Sequence, residues 1–179
     1  MGEPSTTNIE ENKKRFLDLV GSIERDGMKE LVEFLEKSDF FTAPASTRFH
    51  GSIHGGLAMH SLNVYDMFEH KCESEPFKDV LAVVPEDSRK IITLFHDLCK
   101  TFMYEIDYKN KKIYSDTGSK KDEKGRFDWK AVEYYTVNDR VPYGHGEKSV
   151  MMLEEFIKLQ PIERYAIRWH MGFTEPKEN

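Results

Sequence analysis

Apolar side chains recur every three to four residues along the first part of the chain, a spacing that predicts amphipathic helices. The first stripe, over 16–23, predicts a helix that ends near Gly27. Residues 7–10 in front of it have the Thr-x-x-Glu form of a capping box. Further stripes predict helices over 28–37 and from 57 to about 72, with a proline- and glycine-containing loop over 42–56 between them.

The pattern changes twice in the second half of the chain. Pro76 and Pro85 each suit the first turn of a helix, and the apolar run 91–98 predicts a buried helix. Polar and apolar residues then alternate in a way that predicts β structure. The predicted elements are a strand over 102–108, a turn at 109–112, the start of a return strand at 113–114, a polar mobile segment over 115–125 and a strand over 127–137. Helical spacing returns over 147–159, and Pro161 opens a last helix that Gly172 ends.

These elements predict a mainly α fold with a small β-hairpin or sheet insertion at about 102–137, and N-terminal helices at 8–40. The length of 179 residues fits one domain over 1–179 better than two. Hydrophobic residues make up 39% of the chain, enough for a core. No apolar run approaches the roughly 18 residues of a membrane span, so no membrane association is expected.

The charge and the cysteine content of the chain bear on its cellular compartment and on the classes of partner that it can bind. The first eight residues lack the pattern of a signal peptide, and Cys72 and Cys99 form no paired motif, so we expect a cytoplasmic protein. The formal net charge of −6 argues against a duplex nucleic-acid partner. It remains compatible with a small phosphorylated substrate, because a metal centre supplies local positive charge. The sequence does not indicate the oligomeric state.

One pair of residues carries the chemistry. His96 and Asp97 lie at the end of the apolar run, where an ionised carboxylate costs free energy unless it is paired or bound to a cation. Imidazole and carboxylate are both good ligands for divalent transition metals. Lys100, three residues after Asp97, projects to the same face and is placed to pair with Asp97 or to reach a bound phosphate. The pair therefore predicts a metal site.

The chain resembles the HD-domain superfamily of metal-dependent phosphohydrolases, in its multi-histidine branch. The similarity covers about 55–172, taken as the core of the domain. Four motifs carry it in the family's order: GGLAMHSL at 55–62, LFHDLCK at 94–100, GHGEKS at 144–149 and RWHMG at 168–172. Each motif alone is weak, but four in order and in helical context are fairly specific. The resemblance implies an HD-domain helical bundle.

The resemblance also implies a division of roles. His60, His96 and Asp97 would hold a first metal ion, and Asp97 would bridge to a second ion held by His145 and His170. A metal-bound hydroxide would attack the phosphorus of a phosphate ester, with Lys100 assisting as a catalytic residue beside Asp97. One or two ions of manganese, iron, nickel, cobalt, zinc or magnesium are expected. Candidate substrate contacts are His54, Lys148 and Ser149.

One element of the family pattern is missing. Members carry a further aspartate after the fourth histidine that completes the first metal site, whereas this chain has no aspartate beyond Asp139. Three explanations remain open: a truncated form, replacement by Glu175 or water, or an impaired first site. For several other residues a structural role is the preferred interpretation: Cys99 is expected to be a buried thiol, His70 to be solvated, and the lysines at 109, 111 and 112 to form a solvated turn. His50 and His54 are interpreted as loop residues, with a general-acid or substrate role for either as the second interpretation.

The primary hypothesis is a metal-dependent phosphohydrolase that acts on a nucleotide or another small phosphate ester. The motif order also resembles HD-fold diiron oxygenases, which would show bound iron and oxygen consumption. A catalytically impaired module that binds metal or nucleotide is a third hypothesis, suggested by the missing aspartate. An RNA 3′-end hydrolase is a fourth, and the acidic net charge weighs against it.

Overall fold

The computed structural model describes residues 8–141 and 143–172. Within these residues the protein is mainly α-helical, with a small antiparallel sheet of three strands. The helices are α1 (Ile9–Gly21), α2 (Met28–Lys37), α3 (Gly56–Glu73), α4 (Lys78–Leu81), α5 (Glu86–Phe95), α6 (His145–Glu154) and α7 (Pro161–Arg168). None of these helices has both the length and the hydropathy to span a bilayer. The mainly α class predicted from the sequence is confirmed.

The two N-terminal helices begin and end at local hydrogen bonds. Asn8 caps α1, because its side-chain oxygen accepts the N–H of Glu11 at 3.1 Å. The predicted box began at Thr7, which lies outside the described residues. The predicted end of α1 near Gly27 is wrong: the N–H and hydroxyl of Ser22 both bond to Leu19, closing the helix at Gly21. Gly27 instead precedes α2, with a positive φ of 87° that glycine adopts without strain.

Phe16 of α1 lies at the centre of the hydrophobic core. It is fully buried, and its ring contacts Phe40 (5.0 Å between centroids), Phe41 (5.6 Å) and Phe95 (5.7 Å). Edge-on contacts of this kind add to the free energy gained by burying the rings. Phe95 is the last residue of α5, so this cluster fixes the position at which the His96-Asp97 pair begins.

The buried helix predicted over 91–98 is confirmed only as far as Phe95. Asp97 adopts φ −107° and ψ 19°, outside the helical region, and a single 3₁₀ turn, Leu98–Lys100, follows. The N–H of Cys99 donates to the hydroxyl of Ser149 on α6 at 3.1 Å rather than to a carbonyl four residues back. This contact, distant in sequence, takes the place of the helical hydrogen bond there and accompanies the break at Asp97.

The sheet consists of β1 (Tyr104–Tyr114), β2 (Lys120–Asp122) and β3 (Gly125–Val137), with β3 in the centre. The predicted strand over 127–137 is confirmed as part of β3. The polar segment 115–125 contains β2, which pairs with the start of β3. The end of the sheet at Tyr104 and Val137, which pair with each other, lies nearest the helices that carry the histidines.

The turn predicted at 109–112 is wrong, because β1 continues through it. Each of two lysines there has a cross-strand aromatic partner: Nζ of Lys109 lies 4.5 Å from the ring centre of Tyr134, and Nζ of Lys112 lies 4.4 Å from that of Phe127. Lys112 also donates to Asp122 of β2 at 2.6 Å. These contacts give the charged side chains partners that a turn would not supply.

The helix predicted over 147–159 begins earlier and ends earlier, as α6 (His145–Glu154). The helix predicted from Pro161 is confirmed as α7, which starts with a capping box between Gln160 and Glu163. Gly172 follows it with a positive φ of 85°. His145 is the first residue of α6, and His170 closely follows the end of α7. Both histidines lie beside Asp97.

Glu163 ties α7 to the rest of the bundle. It is fully buried and accepts hydrogen bonds from Arg25 (2.6 Å), from the hydroxyl of Ser88 on α5 (2.7 Å) and from the N–H of Gln160 (2.7 Å). Burial by itself raises the pKa of Glu163, but these bonds outweigh it and hold the pKa below its usual value. The carboxylate is therefore the stable form inside the protein.

Replacing this carboxylate should destabilise the fold in a pH-dependent way. We expect Glu163→Gln to lower the free energy of unfolding by about 3 kcal/mol at pH 7, because Arg25 loses its buried partner. A depressed pKa stabilises the fold above the unfolded-state pKa of about 4.3, and this contribution is lost as the pH falls. Denaturant unfolding at pH 7 and pH 3 measures both effects, with the exposed Glu155→Gln as control. An equal loss at both pH values would contradict this account.

Candidate metal centre

Four histidines from separate helices converge on Asp97. His60 lies on α3, His96 directly follows α5, His145 opens α6, and His170 follows α7. Asp97 is 2% exposed, so its carboxylate is almost entirely removed from solvent. The structure therefore brings together the five side chains that the motifs single out as metal ligands.

One group of three atoms has the spacing of metal ligands. Nε2 of His60 and Nε2 of His96 are 3.1 Å apart, and they lie 3.4 Å and 3.3 Å from Oδ2 of Asp97. With metal–ligand bonds of about 2.0 Å, neighbouring ligand atoms are about 3.3 Å apart in a tetrahedral site and about 2.9 Å apart in an octahedral one. The three atoms form an almost equilateral triangle of this size. They could hold one ion with little rearrangement.

The other carboxylate oxygen faces a second group. Oδ1 of Asp97 lies 2.9 Å from Nε2 of His145 and 3.5 Å from Nε2 of His170. Sγ of Cys99 lies 3.8 Å from the same nitrogen of His145, and Asp97, Cys99 and His145 form a second set that could hold an ion. Asp97 therefore belongs to both groups of side chains that could hold an ion.

Backbone carbonyls fix the orientation of two of the rings. Nδ1 of His96 lies 2.8 Å from the carbonyl oxygen of Thr93, and Nδ1 of His170 lies 2.7 Å from that of Ile167. A carbonyl oxygen only accepts, so each Nδ1 carries the proton. In the neutral rings, Nε2 then turns a lone pair toward Asp97. Metal-binding histidines are commonly oriented by such a bond from the other ring nitrogen.

Several of these nitrogen lone pairs have no hydrogen-bond donor to accept from. Within the part of the chain that the structure describes, Nε2 of His170 is buried and has no hydrogen-bond partner. Nε2 of His96 faces a carboxylate oxygen that also only accepts while ionised. Lys100 supplies one positive charge, since its Nζ donates to Oδ2 of Asp97 at 2.7 Å. A divalent cation binds to atoms that present lone pairs. The imidazole nitrogens and carboxylate oxygens that converge here therefore fit a metal ion.

The ionisation states in the metal-free protein follow from the same contacts. Burial raises the pKa of Asp97, but its imidazole contacts, led by the hydrogen bond that His145 donates, outweigh burial and hold that pKa far below its usual range. The hydrogen bond to Asp97, followed by the contact with Cys99, raises the pKa of His145 to about 9. His145 is therefore protonated at neutral pH, and an ion bound through its Nε2 must displace that proton.

Gly146 allows the two C-terminal helices to bring their histidines together. A Cβ atom at this position would lie 2.1 Å from the carbonyl oxygen of Arg168 at the end of α7, closer than any side chain allows. The absence of a side chain therefore permits the contact that leaves the rings of His145 and His170 5.7 Å apart.

A cavity of about 630 Å³ opens onto this centre, within the size range of small-molecule sites. His60, His96, Asp97, His145 and His170 all line it, as does Lys100. His50, from the loop before α3, also lines the cavity, with its ring centre 4.7 Å from that of His60.

The three candidate substrate contacts lie outside the cavity lining. His54 is exposed on the loop before α3. Lys148 donates to Asp139 at 2.6 Å, and Ser149 is fully buried, with its hydroxyl accepting the N–H of Cys99. A substrate role for these residues stays a prediction that no contact here supports. Glu175, considered as a substitute for a further aspartate, lies outside the described residues.

Two residues at the site were given structural roles from the sequence. His50 shares a glycine-containing loop with His54, and nothing in their spacing distinguishes the two. Cys99 looked like a buried thiol, yet its Sγ lies 3.3 Å from Nδ1 of His145. The sequence did contain a signal for Cys99, because it stands two residues after Asp97. The chain turns at this point, and the turn brings both residues toward α6.

Comparisons with models of protein families, with curated proteins and with solved structures find no match to this chain. The function must therefore be inferred from the residues and their geometry.

Metal content tests the centre directly. Protein purified without chelator should contain two divalent ions per chain by elemental analysis. Asp97→Ala should lose both, because its two oxygens serve both groups, and His145→Ala should retain about one. The control is His70→Ala, which removes an exposed histidine of α3 far along the helix from His60. Full metal content in Asp97→Ala would show that the site lies elsewhere.

Proposed function

We propose that this protein is a metal-dependent phosphohydrolase of the HD-domain type, which cleaves a phosphate ester of a nucleotide or another small molecule. The observation that carries the proposal is the geometry around Asp97. A buried carboxylate faces imidazole nitrogens at ligand spacing on both of its oxygens, at the edge of a cavity that admits a small molecule.

The sequence motifs and the geometry support the same chemistry independently. The motifs pick out His60, His96, Asp97, His145 and His170 by their order along the chain, without any information on distance. The fold then places these five side chains in contact, although the first and the last come from helices far apart in sequence.

Each side chain has a role in the proposed reaction. His60, His96 and Asp97 would hold one divalent ion. A second ion would be held at the opposite carboxylate oxygen by His145, with Cys99 beside it, and by His170, whose Nε2 lies 3.5 Å from that oxygen. Bound divalent ions activate water and neutralise the charge that develops on a phosphate. Asp97 must stay ionised for this, and its depressed pKa ensures that it does at neutral pH.

Lys100 is placed to bind the phosphate. Its side chain is 11% exposed, lines the cavity and ends 2.7 Å from Asp97. If Asp97 were bound to metal ions, the ions would neutralise the carboxylate in place of the ammonium group of Lys100. Lys100 then remains as a positive charge and a hydrogen-bond donor facing the cavity, which stabilises the negative charge of a reacting phosphate.

Hydrolysis of p-nitrophenyl phosphate and bis-p-nitrophenyl phosphate tests the reaction class without knowledge of the natural substrate. We expect metal-dependent release of nitrophenol by the wild type and none by Asp97→Asn. Two other outcomes would replace the proposal. Bound iron with oxygen consumption would indicate a diiron oxygenase, and nucleotide binding with no product under any metal would indicate a binding module.

Removing the lysine separates catalysis from metal binding. We expect Lys100→Ala to keep the wild-type metal content and to lower kcat at least about tenfold, because it removes charge stabilisation and no proposed ligand. Lys90→Ala is the matched control: Lys90 is also buried and paired, with Glu86 and Ser22, but lies outside the cavity lining. It should lower stability and leave kcat unchanged. Equal loss of kcat in both variants would remove the role of Lys100.

A further inference from the structure

Strand β1 forms one edge of the sheet. It pairs with β3 on one side, and within the described residues no strand pairs with it on the other. Residues 105–111 are all exposed, and they include two large side chains, Ile106 (55% exposed) and Tyr108 (61%). A long, uncovered edge strand offers unpaired backbone groups to a strand of another chain. This edge is therefore a candidate interaction surface.

Backbone hydrogen bonds at the two ends of β1 show which of its groups point outward. The carbonyl oxygen of Met103 accepts the N–H of Asn138 at 2.9 Å, and the N–H of Ser115 donates to the carbonyl oxygen of Arg126 at 3.0 Å. In an antiparallel pair, successive residues alternate between bonding to the partner strand and facing away from it. Odd-numbered residues of β1 therefore bond to β3, and the even-numbered residues direct their N–H and carbonyl groups away from it.

The charges on one face of β1 are divided along its length. Glu105 and Asp107 lie in the half nearest the helices, and Lys109 and Lys111 lie in the other half. These four side chains share a face of the sheet, because they are spaced two residues apart. In the part of the chain that the structure describes, none of the four belongs to an ion pair. Each half of the strand thus offers charges that the other half of a second copy could match.

One antiparallel register between two copies of β1 matches these charges. A two-fold axis beside Tyr108 places Glu105 of each copy opposite Lys111 of the other, and Asp107 opposite Lys109. Opposite charges that face each other across an antiparallel pair stabilise it, and like charges destabilise it. An axis one residue to either side would place two lysines at 109, or two aspartates at 107, opposite each other. The charge order therefore selects a single register.

The same register joins the backbone groups that point outward. Even-numbered residues of one strand face even-numbered residues of the other, with Tyr108 opposite Tyr108, so each such pair can exchange two hydrogen bonds. In the single chain the N–H of Tyr108 donates to the side chain of Asp107 at 2.7 Å. Pairing would replace this bond with one to the carbonyl oxygen of the other copy, and Asp107 would then be free to face Lys109.

We propose that this protein forms a two-fold symmetric dimer through β1, in which two three-stranded sheets join into one sheet of six strands. The partner is a second copy of this chain, recognised by the order of charges along the strand. The inference concerns the sheet, and it does not depend on the reaction proposed for the metal centre.

Sedimentation equilibrium of the full chain measures the association. We expect a monomer–dimer equilibrium for the wild type. Lys111→Glu and Glu105→Lys should each raise the dissociation constant at least about tenfold, because each variant places like charges opposite each other. The variant that carries both changes should recover the wild-type value, since it reverses the pair without breaking it. Lys121→Glu is the matched control, because Lys121 is exposed on β2, two strands away from this edge.

The rescue separates this proposal from a general effect of charge or of folding. A wild type that stays monomeric at every concentration would overturn the proposal and leave the edge to a strand of a different protein. Association as weak in the double variant as in the single variants would overturn the register. An equal loss in Lys121→Glu would show that net charge, and not the facing pair, controls association.

Disulfide crosslinking locates the axis. Ile106→Cys, Tyr108→Cys and Asn110→Cys are each made in a Cys72→Ser background and oxidised with diamide, and the native Cys99 is buried. A residue beside the axis meets its own copy at a Cα separation of about 5.5 Å, which a disulfide spans. Residues 106 and 110 are each displaced from their own copies by about 13 Å along the strand.

We therefore expect Tyr108→Cys to form a covalent dimer on a non-reducing gel, and the other two variants to remain single chains. A stronger crosslink through Ile106→Cys or Asn110→Cys would contradict an axis beside Tyr108. The absence of a crosslink in all three variants would overturn pairing through β1.

Discussion

The structure depends on one buried carboxylate. Asp97 is ringed by four imidazoles and one ammonium group, and almost none of its surface reaches water. An ionised group in that position is unstable unless its surroundings supply positive charge and donors. Protonated His145 and Lys100 supply them. The surrounding elements bring the neighbours of Asp97 together: α5 stops beside it, α6 begins beside it, and α3 and α7 each place a histidine next to it. In this respect the helices hold in place the groups that surround a single side chain.

Much of this arrangement could be predicted from local pattern. Helical periodicity located α2 and α3, and the charged pair at the end of an apolar run identified Asp97 as a residue that needs a cation. Where the sequence misled about the end of α5 and the length of β1, a partner distant along the chain was responsible. Ser149 accounts for the end of α5 before residue 98, and aromatic rings on β3 keep Lys109 and Lys112 in a strand. Such contacts leave no trace in the residues around them.

The residues of the candidate site likewise divide into those that a local pattern identifies and those that it does not. The histidines near the ends of helices were found because motif order and helical context mark them. His50 and His54 could not be ranked, because a loop has no periodicity that assigns a direction to its side chains. Ser149 and Lys148 looked like substrate contacts beside a histidine at a helix start, but one packs inward and the other pairs with Asp139.

The separation of the histidines along the chain has a consequence for folding. The centre is assembled only after loops from residue 60 to residue 170 have closed, and each closure costs chain entropy. An ion that binds the finished centre, and not the open chain, draws the folding equilibrium toward the native state in proportion to its occupancy. The lifetime of this protein in a cell would then depend on the supply of metal, with scarcity removing the molecule itself as well as its activity.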